Sequence, residues 1–64
     1  MFAIADTMID DARHLQVGDI MAGFGEVTEL SITDDEFVNV VFYDGFDYST
    51  VSFHTYEDVE LLIL

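Results

Sequence analysis

The sequence predicts a single small all-β domain, and two observations indicate it. Apolar and polar residues alternate over short runs from about residue 15 onward, and glycine-containing turn motifs separate these runs. A chain of 64 residues forms one domain at most. Without cysteine, and with only His14 and His54 as soft ligands, neither disulfides nor zinc can stabilise it. Core packing or self-association must therefore do so.

The best-specified element is a hairpin around Asp44-Gly45, a dipeptide that suits a two-residue type I′ turn. We predict strands over residues 37–43 and 46–54, with Tyr43 facing Phe46. One face of this ribbon would then be the core, formed by Val38, Val40, Phe42, Val51 and Phe53.

The opposite side of the ribbon is also partly apolar and is called here the aromatic face. It consists of Phe37, Val41, Tyr43, Phe46 and Tyr48. Only one side of a ribbon can be the core of so small a domain. The aromatic face must therefore be covered by residues 1–14 or by a partner, or remain exposed.

Upstream of the hairpin, residues 26–33 have the alternation of a strand. A three-residue connection over 34–36 opposes Ile32 to Val38 and keeps apolar residues on a common side. The predicted strand has Thr28, Leu30 and Ile32 on one side and Val27, Glu29 and Ser31 on the other.

The first core strand is predicted over residues 15–20, entering a turn at Gly23-Phe24-Gly25. Phe24 at this turn either anchors a partner or folds back onto the core. Residues 55–58 suit one turn of 3₁₀ helix. Residues 59–64 suit a final strand, although the apolar run at their end also fits a helix end.

The first fourteen residues fit two patterns. Phe2, Ala5, Ile9 and Ala12 form a helical stripe, whereas Phe2, Ile4 and Met8 alternate as in a strand. Either interpretation accommodates a helical turn over residues 11–14.

Residues 15–64 resemble the SH3-like small barrels in pattern. The pieces are Leu15-Gln16-Val17-Gly18-Asp19, Gly25-Glu26-Val27-Thr28-Glu29-Leu30, Asp44-Gly45 and Tyr56-Glu57-Asp58-Val59. The resemblance implies a five-stranded barrel preceded by an N-terminal extension. Members of this fold bind peptides in an aromatic groove, bind nucleic acid or assemble, so the fold does not select a function. In length, acidity and this pattern, the chain also resembles small acidic bacteriophage proteins, particularly those of actinobacterial phages.

The charge excludes one class of partner and favours another. Fourteen carboxylates face a single cation, Arg13, for a formal net charge of -13. Such a surface repels nucleic acid and attracts a basic protein. The acidity either only keeps the protein soluble or, where strand carboxylates lie about 7 Å apart at i and i+2, imitates a nucleic-acid backbone.

No signal peptide or apolar run long enough for a membrane span is visible, so we expect a cytoplasmic protein.

No motif in the sequence indicates catalysis, a cofactor or a metal. Ser31, Ser49 and Ser52 lack the surroundings of a nucleophile, and the acidic turns lack the spacing of an EF-hand loop. A paired-carboxylate site would need a cleft that a domain of this size has little room to form.

The sequence therefore predicts a non-enzymatic protein-interaction module. The predicted partner-binding residues are Phe37, Val41, Tyr43, Asp44, Phe46, Asp47 and Tyr48. The expected partner is a basic protein, from the host cell if the protein is phage-encoded. The alternative is a structural homo-oligomer whose subunit interface is the aromatic face.

Overall fold

The protein is mostly β-stranded, as expected, in a computed structural model that describes residues 6–63. The strands are β1 (Asp6–Asp11), β2 (Ile20–Met21), β3 (Gly25–Ile32), β4 (Phe37–Tyr43), β5 (Tyr48–His54) and β6 (Asp58–Ile63). These six form one antiparallel sheet in the order β1-β6-β2-β3-β4-β5, so β1 and β5 are its edges. The closed five-stranded barrel expected from the sequence is not observed, because the described sheet has a sixth strand, β1, and is open.

The sheet bends, because a short connection joins two strands that are not neighbours. Only residues 55–57 link β5 to β6, and a chain of that length spans at most about 14 Å. In a flat sheet four strand spacings would separate these strands by roughly 19 Å. The bent connection is held by the Thr55 amide, which donates to the Glu36 carbonyl at 2.8 Å, and by the Arg13 amide, which donates to the Thr55 carbonyl at 3.0 Å.

The central hairpin has the predicted faces but a different register. Tyr43 pairs with Tyr48 rather than Phe46, so residues 44–47 form a four-residue loop instead of a two-residue turn. The Asp44 carboxylate favours this loop by accepting hydrogen bonds from the amides of Phe46 and Asp47, at 2.8 and 2.9 Å. The two-residue shift leaves the side chains of β4 and β5 on their predicted faces, because the side-chain period of a strand is two. Phe46 and Asp47, predicted in the second strand, lie in the loop instead.

The connection between β3 and β4 confirms the predicted pairing of Ile32 with Val38. A bulge between Val27 and Glu29, however, changes which side chains point inward. Val27 is fully buried and Leu30 packs against the core, whereas Ile32 is exposed. The predicted division of this strand into two alternating sides is therefore wrong on the Val27 side of the bulge.

The strand predicted over residues 15–20 is also wrong, since only Ile20 of that segment lies in a strand. The preceding residues form a turn closed by Asp19. Its amide donates to the Gln16 carbonyl at 3.1 Å, and its carboxylate accepts from the Gln16 amide at 2.9 Å. Gly18, with φ +100°, lies inside this turn and donates to the Val27 carbonyl.

Both ends of the described chain are strands. Residues 6–11 form β1, paired along its length with β6, and Ala12–His14 form the predicted helical turn. Phe2, Ile4 and Ala5, which entered the two sequence patterns, lie outside the described residues, as does Leu64. The end of the chain up to Ile63 is a strand and not a helix end, and residues 55–57 form a hydrogen-bonded turn without a 3₁₀ helix.

The core lies on the inner side of the bent sheet. Its buried residues are Ala12, Leu15, Met21, Val27, Val38, Val40, Phe42, Phe53, Val59 and Leu61. Phe24 folds back against this core, with its ring centroid 5.1 Å from that of Phe42 and 5.7 Å from that of Phe53. Among residues 6–63, the helical segment is three residues long, and no helix has the length or apolarity to cross a membrane.

Candidate functional site

The aromatic face is exposed on the outer side of the β4–β5 ribbon. Tyr48 is 68% exposed and Phe46 is 89% exposed, while Phe37 and Tyr43 are exposed and Val41 is partly buried. Strand β1 pairs with β6 at the opposite edge of the sheet. The described part of the N-terminal segment therefore does not cover the aromatic face.

Five of the seven predicted site residues lie together at the loop end of the ribbon: Tyr43, Asp44, Phe46, Asp47 and Tyr48. The rings of Tyr43 and Tyr48 lie 4.8 Å apart between centroids, at an interplanar angle of 37°. The Tyr43 hydroxyl donates to the Gly45 carbonyl at 3.0 Å, which attaches the ring pair to the loop. This end of the ribbon thus presents a tilted pair of aromatic rings beside two carboxylates.

The ionised form of Asp44 stabilises the loop that holds this group. Hydrogen bonds from the Asp47 amide and then the Phe46 amide lower the pKa of Asp44 below its ordinary value of 3.8. At neutral pH the loop is therefore closed by a charged acceptor, which makes shorter and stronger hydrogen bonds than a neutral one.

The structure separates Phe37 from the other predicted aromatic residues. Phe37 begins β4 and Tyr43 ends it, so the two lie about 20 Å apart along the strand. Phe37 instead packs against His54, with ring centroids 5.7 Å apart, and Tyr56 lies next to His54 at 6.2 Å. The guanidinium of Arg13 lies 4.9 Å above the Tyr56 ring centroid.

This second aromatic group could not be predicted from the sequence, because it depends on the bend of the sheet. Tyr56 belongs to the connection between β5 and β6, and Arg13 to the helical turn after β1. The pairing of β1 with β6 and the hydrogen bonds between these two segments bring the rings and the guanidinium together. The pairing of Phe37 with His54 alone could have been read from the correct hairpin register.

Between the two aromatic groups, the side chains on this face of the ribbon are small, and all but that of Val41 are polar. Val41 lies opposite Thr50, and Asn39 lies opposite Ser52. The Ser52 hydroxyl donates to the Asn39 side-chain oxygen. On the β3 side an open groove of about 400 Å³ adjoins this strip, lined by Val17, Thr28, Glu29, Leu30, Ser31, Asn39 and Val41.

Acidic residues surround the ribbon at both ends. Asp44 and Asp47 lie at the loop end, and five further carboxylates lie near the His54 end: Asp34, Asp35, Glu36, Glu57 and Asp58. These seven are half of the fourteen in the chain. Neither described edge strand carries carboxylates at i and i+2, the spacing considered for imitation of a nucleic-acid backbone. Asp58 and Glu60 have it, but β6 lies inside the sheet.

A separate cluster of Asp10, Asp11 and His14 brings three possible metal ligands within 4.8 Å of one another. Its groups already contact each other and Arg13. His14 Nδ1 lies 2.7 Å from Asp10 Oδ1, and Arg13 Nε lies 3.3 Å from Asp11 Oδ2. The hydrogen bond with His14, and then that from the Asp11 amide, lower the pKa of Asp10. We infer that the contacts within this cluster stabilise the helical turn after β1.

Comparison of the chain with protein-family models, with curated proteins and with solved structures finds no significant match.

Proposed function

We propose that the protein is a non-enzymatic interaction module that binds a basic protein through the β4–β5 ribbon. The loop-end group of Tyr43, Asp44, Phe46, Asp47 and Tyr48 is the centre of the contact. The observation that supports this most directly is the exposure of Phe46, at 89%, and Tyr48, at 68%, beside two carboxylates. Aromatic residues are enriched in the cores of protein interfaces, where their large apolar surface becomes buried.

The charge of the chain indicates the chemistry of the partner. A net charge of -13 with seven carboxylates around the ribbon accelerates association with a basic surface and disfavours an acidic one. Val41 and Phe37 extend the contact along the ribbon toward the second aromatic group. The resemblance of the sequence to small acidic phage proteins makes a basic host protein in the cytoplasm the partner that we propose.

The order β6-β2-β3-β4-β5, with its short connection between β5 and β6, supports a relationship to the SH3-like barrels for residues 15–63. In this proposal β1 is an addition that pairs with the closing strand and the sheet remains open. Peptide binding along an aromatic surface is one of the functions of that fold.

The experiment is a capture from cell lysate followed by titration of the purified partner. We expect a basic protein whose affinity falls between 0.1 and 0.5 M salt, where the Debye length shortens from about 10 Å to about 4 Å. Tyr48→Ala combined with Phe46→Ala should weaken binding about tenfold or more. Ile9→Ala is the control, because Ile9 is 61% exposed on the opposite edge of the sheet and should leave affinity unchanged.

The proposal fails if the captured protein binds the double variant as tightly as the wild type. The alternative, a homo-oligomer with the aromatic face as its interface, has a separate signature. In that case the mass in solution would be that of a stable oligomer across salt and dilution, and Tyr48→Asp would reduce it to that of a monomer.

A further inference from the structure

Strand β5 is a regular edge strand with one side unpaired. All seven of its residues, Tyr48–His54, pair with β4 in a single register without a bulge. No other described strand lies beyond it in the sheet. A strand of this length and regularity is a template on which another extended chain can pair.

The backbone groups that β5 directs outward can be identified from its ends. Opposed residues of antiparallel strands alternate between pairs that exchange hydrogen bonds and pairs that do not. The Thr55 amide donates to the Glu36 carbonyl at 2.8 Å, and the Asp44 amide donates to the Asp47 carbonyl at 3.2 Å. Both contacts continue the β4–β5 register, which fixes the alternation between them. The inward-bonded residues are Ser49, Val51 and Phe53, and those whose N–H and C=O groups point outward are Tyr48, Thr50 and Ser52.

Within residues 6–63, no hydrogen bond engages the outward backbone groups of Tyr48, Thr50 or Ser52. His54, the next residue in the alternation, is different. Its carbonyl accepts from the Glu57 amide at 2.9 Å, and its amide lies 3.4 Å from the Glu57 carboxylate. The open edge is therefore the segment from Tyr48 to Ser52, and the turn after β5 closes it at His54.

This edge lacks the charges that commonly prevent strand pairing. Residues 48–53 contain no charged side chain, no glycine and no proline. The other edge strand of the sheet, β1, has three aspartates in six residues: Asp6, Asp10 and Asp11. Charged side chains on an edge strand disfavour pairing with another chain. The two edges are thus unequal, and β5 is the one suited to receive a strand.

The charges around β5 select the occupant. Carboxylates lie beyond both of its ends, Asp44 and Asp47 at one and Glu57 and Asp58 at the other. A second copy pairing symmetrically with β5 would be antiparallel and would bring the 44–47 loop of one copy against the 55–58 turn of the other. Like charges would then meet at both ends. A strand with basic ends places opposite charges there instead.

We propose that an extended segment of a basic partner adds to the β5 edge as a further strand, with an uncharged centre and lysine or arginine at both ends. This inference rests on the proposed function, since it specifies how the partner engages the ribbon. Main-chain hydrogen bonds to Tyr48, Thr50 and Ser52 hold the segment. Side chains of the bound segment that lie on the outer face of the sheet are next to Tyr48 at one end of β5 and His54 at the other. The exposed Tyr48 ring offers a face to a basic side chain there.

The probe for a direct test is a synthetic peptide of five alternating valines and threonines with two lysines on each side and both ends blocked. Amide hydrogen exchange is measured by NMR in the free protein and in the presence of the peptide. In the free protein we expect slow exchange at Ser49, Val51 and Phe53. The peptide should slow exchange about tenfold or more at the outward amides, those of Tyr48, Thr50 and Ser52.

Two controls separate backbone pairing from charge and aromatic contact. The same peptide methylated on alternate backbone nitrogens, in both registers, keeps its charge but cannot donate to the edge, and should not bind. Thr50→Pro removes one outward N–H, which proline tolerates on an edge strand, and should weaken binding about fivefold to tenfold. Thr50→Val retains that N–H and should bind as the wild type does. If Thr50→Pro disturbs the fold, the methylated peptides still decide.

Several outcomes overturn strand addition. Equal binding of the methylated peptides would do so while leaving the loop-end aromatic group as the docking site. Absence of binding by the lysine-flanked peptide at about 1 mM would also overturn strand addition. Slow exchange at the three outward amides of the free protein would mean that the edge is already covered, by a second copy if the mass is that of a dimer and by the chain itself if it is that of a monomer. Loss of binding in the Tyr48→Ala and Phe46→Ala double variant, tested with the captured protein, examines the proposed function independently.

Discussion

Phe24 lies against Phe42 with 5.1 Å between their ring centroids, and its ring meets Phe53 edge-on at 5.7 Å. It is nevertheless 37% exposed, because it comes from the turn between β2 and β3 and covers the open side of the core. Of the two roles that the sequence permitted for Phe24, the structure shows packing against the core.

We therefore expect Phe24→Ala to destabilise the protein by about 2 kcal/mol, less than the 3–5 kcal/mol typical of a fully buried phenylalanine. Urea unfolding followed by circular dichroism measures this change. Phe46→Ala is the matched control, since Phe46 is 89% exposed and its loss should change stability by no more than about 0.5 kcal/mol. Equal losses for the two variants would contradict the role assigned to Phe24.

Gly25 is constrained by the neighbouring backbone as well as by its own conformation. Its φ is +120°, and an added Cβ would lie 2.5 Å from the Tyr43 carbonyl oxygen. Gly25→Ala should therefore reduce the free energy of unfolding by about 3 kcal/mol or more, because the β3–β4 contact must shift.

Gly45→Ala isolates the conformational part of this effect. Gly45 also has a positive φ, +104°, but nothing lies within 4 Å of the added Cβ. Its replacement should cost only about 1 kcal/mol. Unfolding of the two variants under the same conditions tests the difference, and a Gly45→Ala loss as large as that of Gly25→Ala would show that backbone contact is not the cause.

The hairpin shows why the faces of the ribbon, but not its turn, could be predicted from sequence. Alternation alone places Phe42 and Tyr43 on opposite faces, and any even shift in register preserves that placement. The choice between a two-residue and a four-residue loop depends on the Asp44 carboxylate and its two amide donors. That local hydrogen bonding competes with the intrinsic preference of Asp-Gly for a tight turn.

Other features of the structure could not be predicted from the alternation of apolar and polar residues. Val27 is buried only because a bulge resets the alternation of β3, and a bulge has no distinct signature in this sequence. The same applies to the group of Phe37, His54, Tyr56 and Arg13, whose members meet through a bend that depends on contacts distant in sequence. The predicted loop-end residues lie together because they are local to one hairpin.

The lowered pKa of Asp44 predicts how stability depends on pH. A carboxylate whose pKa is lower in the folded than in the unfolded state stabilises the fold above its unfolded value. That contribution is lost as the pH falls from the ordinary value of 3.8 through the lower folded value. Asp44→Asn keeps an oxygen acceptor but removes the titration.

We therefore expect the difference in stability between wild type and Asp44→Asn to be constant above about pH 5 and to shrink below pH 4. Unfolding experiments at a series of pH values measure this difference, and carbon NMR of the Asp44 carboxyl measures its pKa directly. A difference that grows as the pH falls would contradict the assignment of the hydrogen bonds to the charged form.

Salt should act on folding and on partner binding in opposite directions. The chain has fourteen carboxylates and one arginine, and Arg13 is already paired with Asp11 at 3.3 Å. Repulsion among the remaining carboxylates disfavours the compact state, and screening relieves it. Raising sodium chloride from about 0.02 to 0.5 M should therefore raise the midpoint of thermal unfolding, while the same change weakens attraction to a basic partner.

Calorimetry of the free protein and titration of the lysine-flanked peptide over the same range of salt test the two expected directions of change. A midpoint that falls with salt would mean that attractive ion pairs outweigh the repulsion, and the acidic ends of β5 could then no longer be treated as free to attract a basic strand.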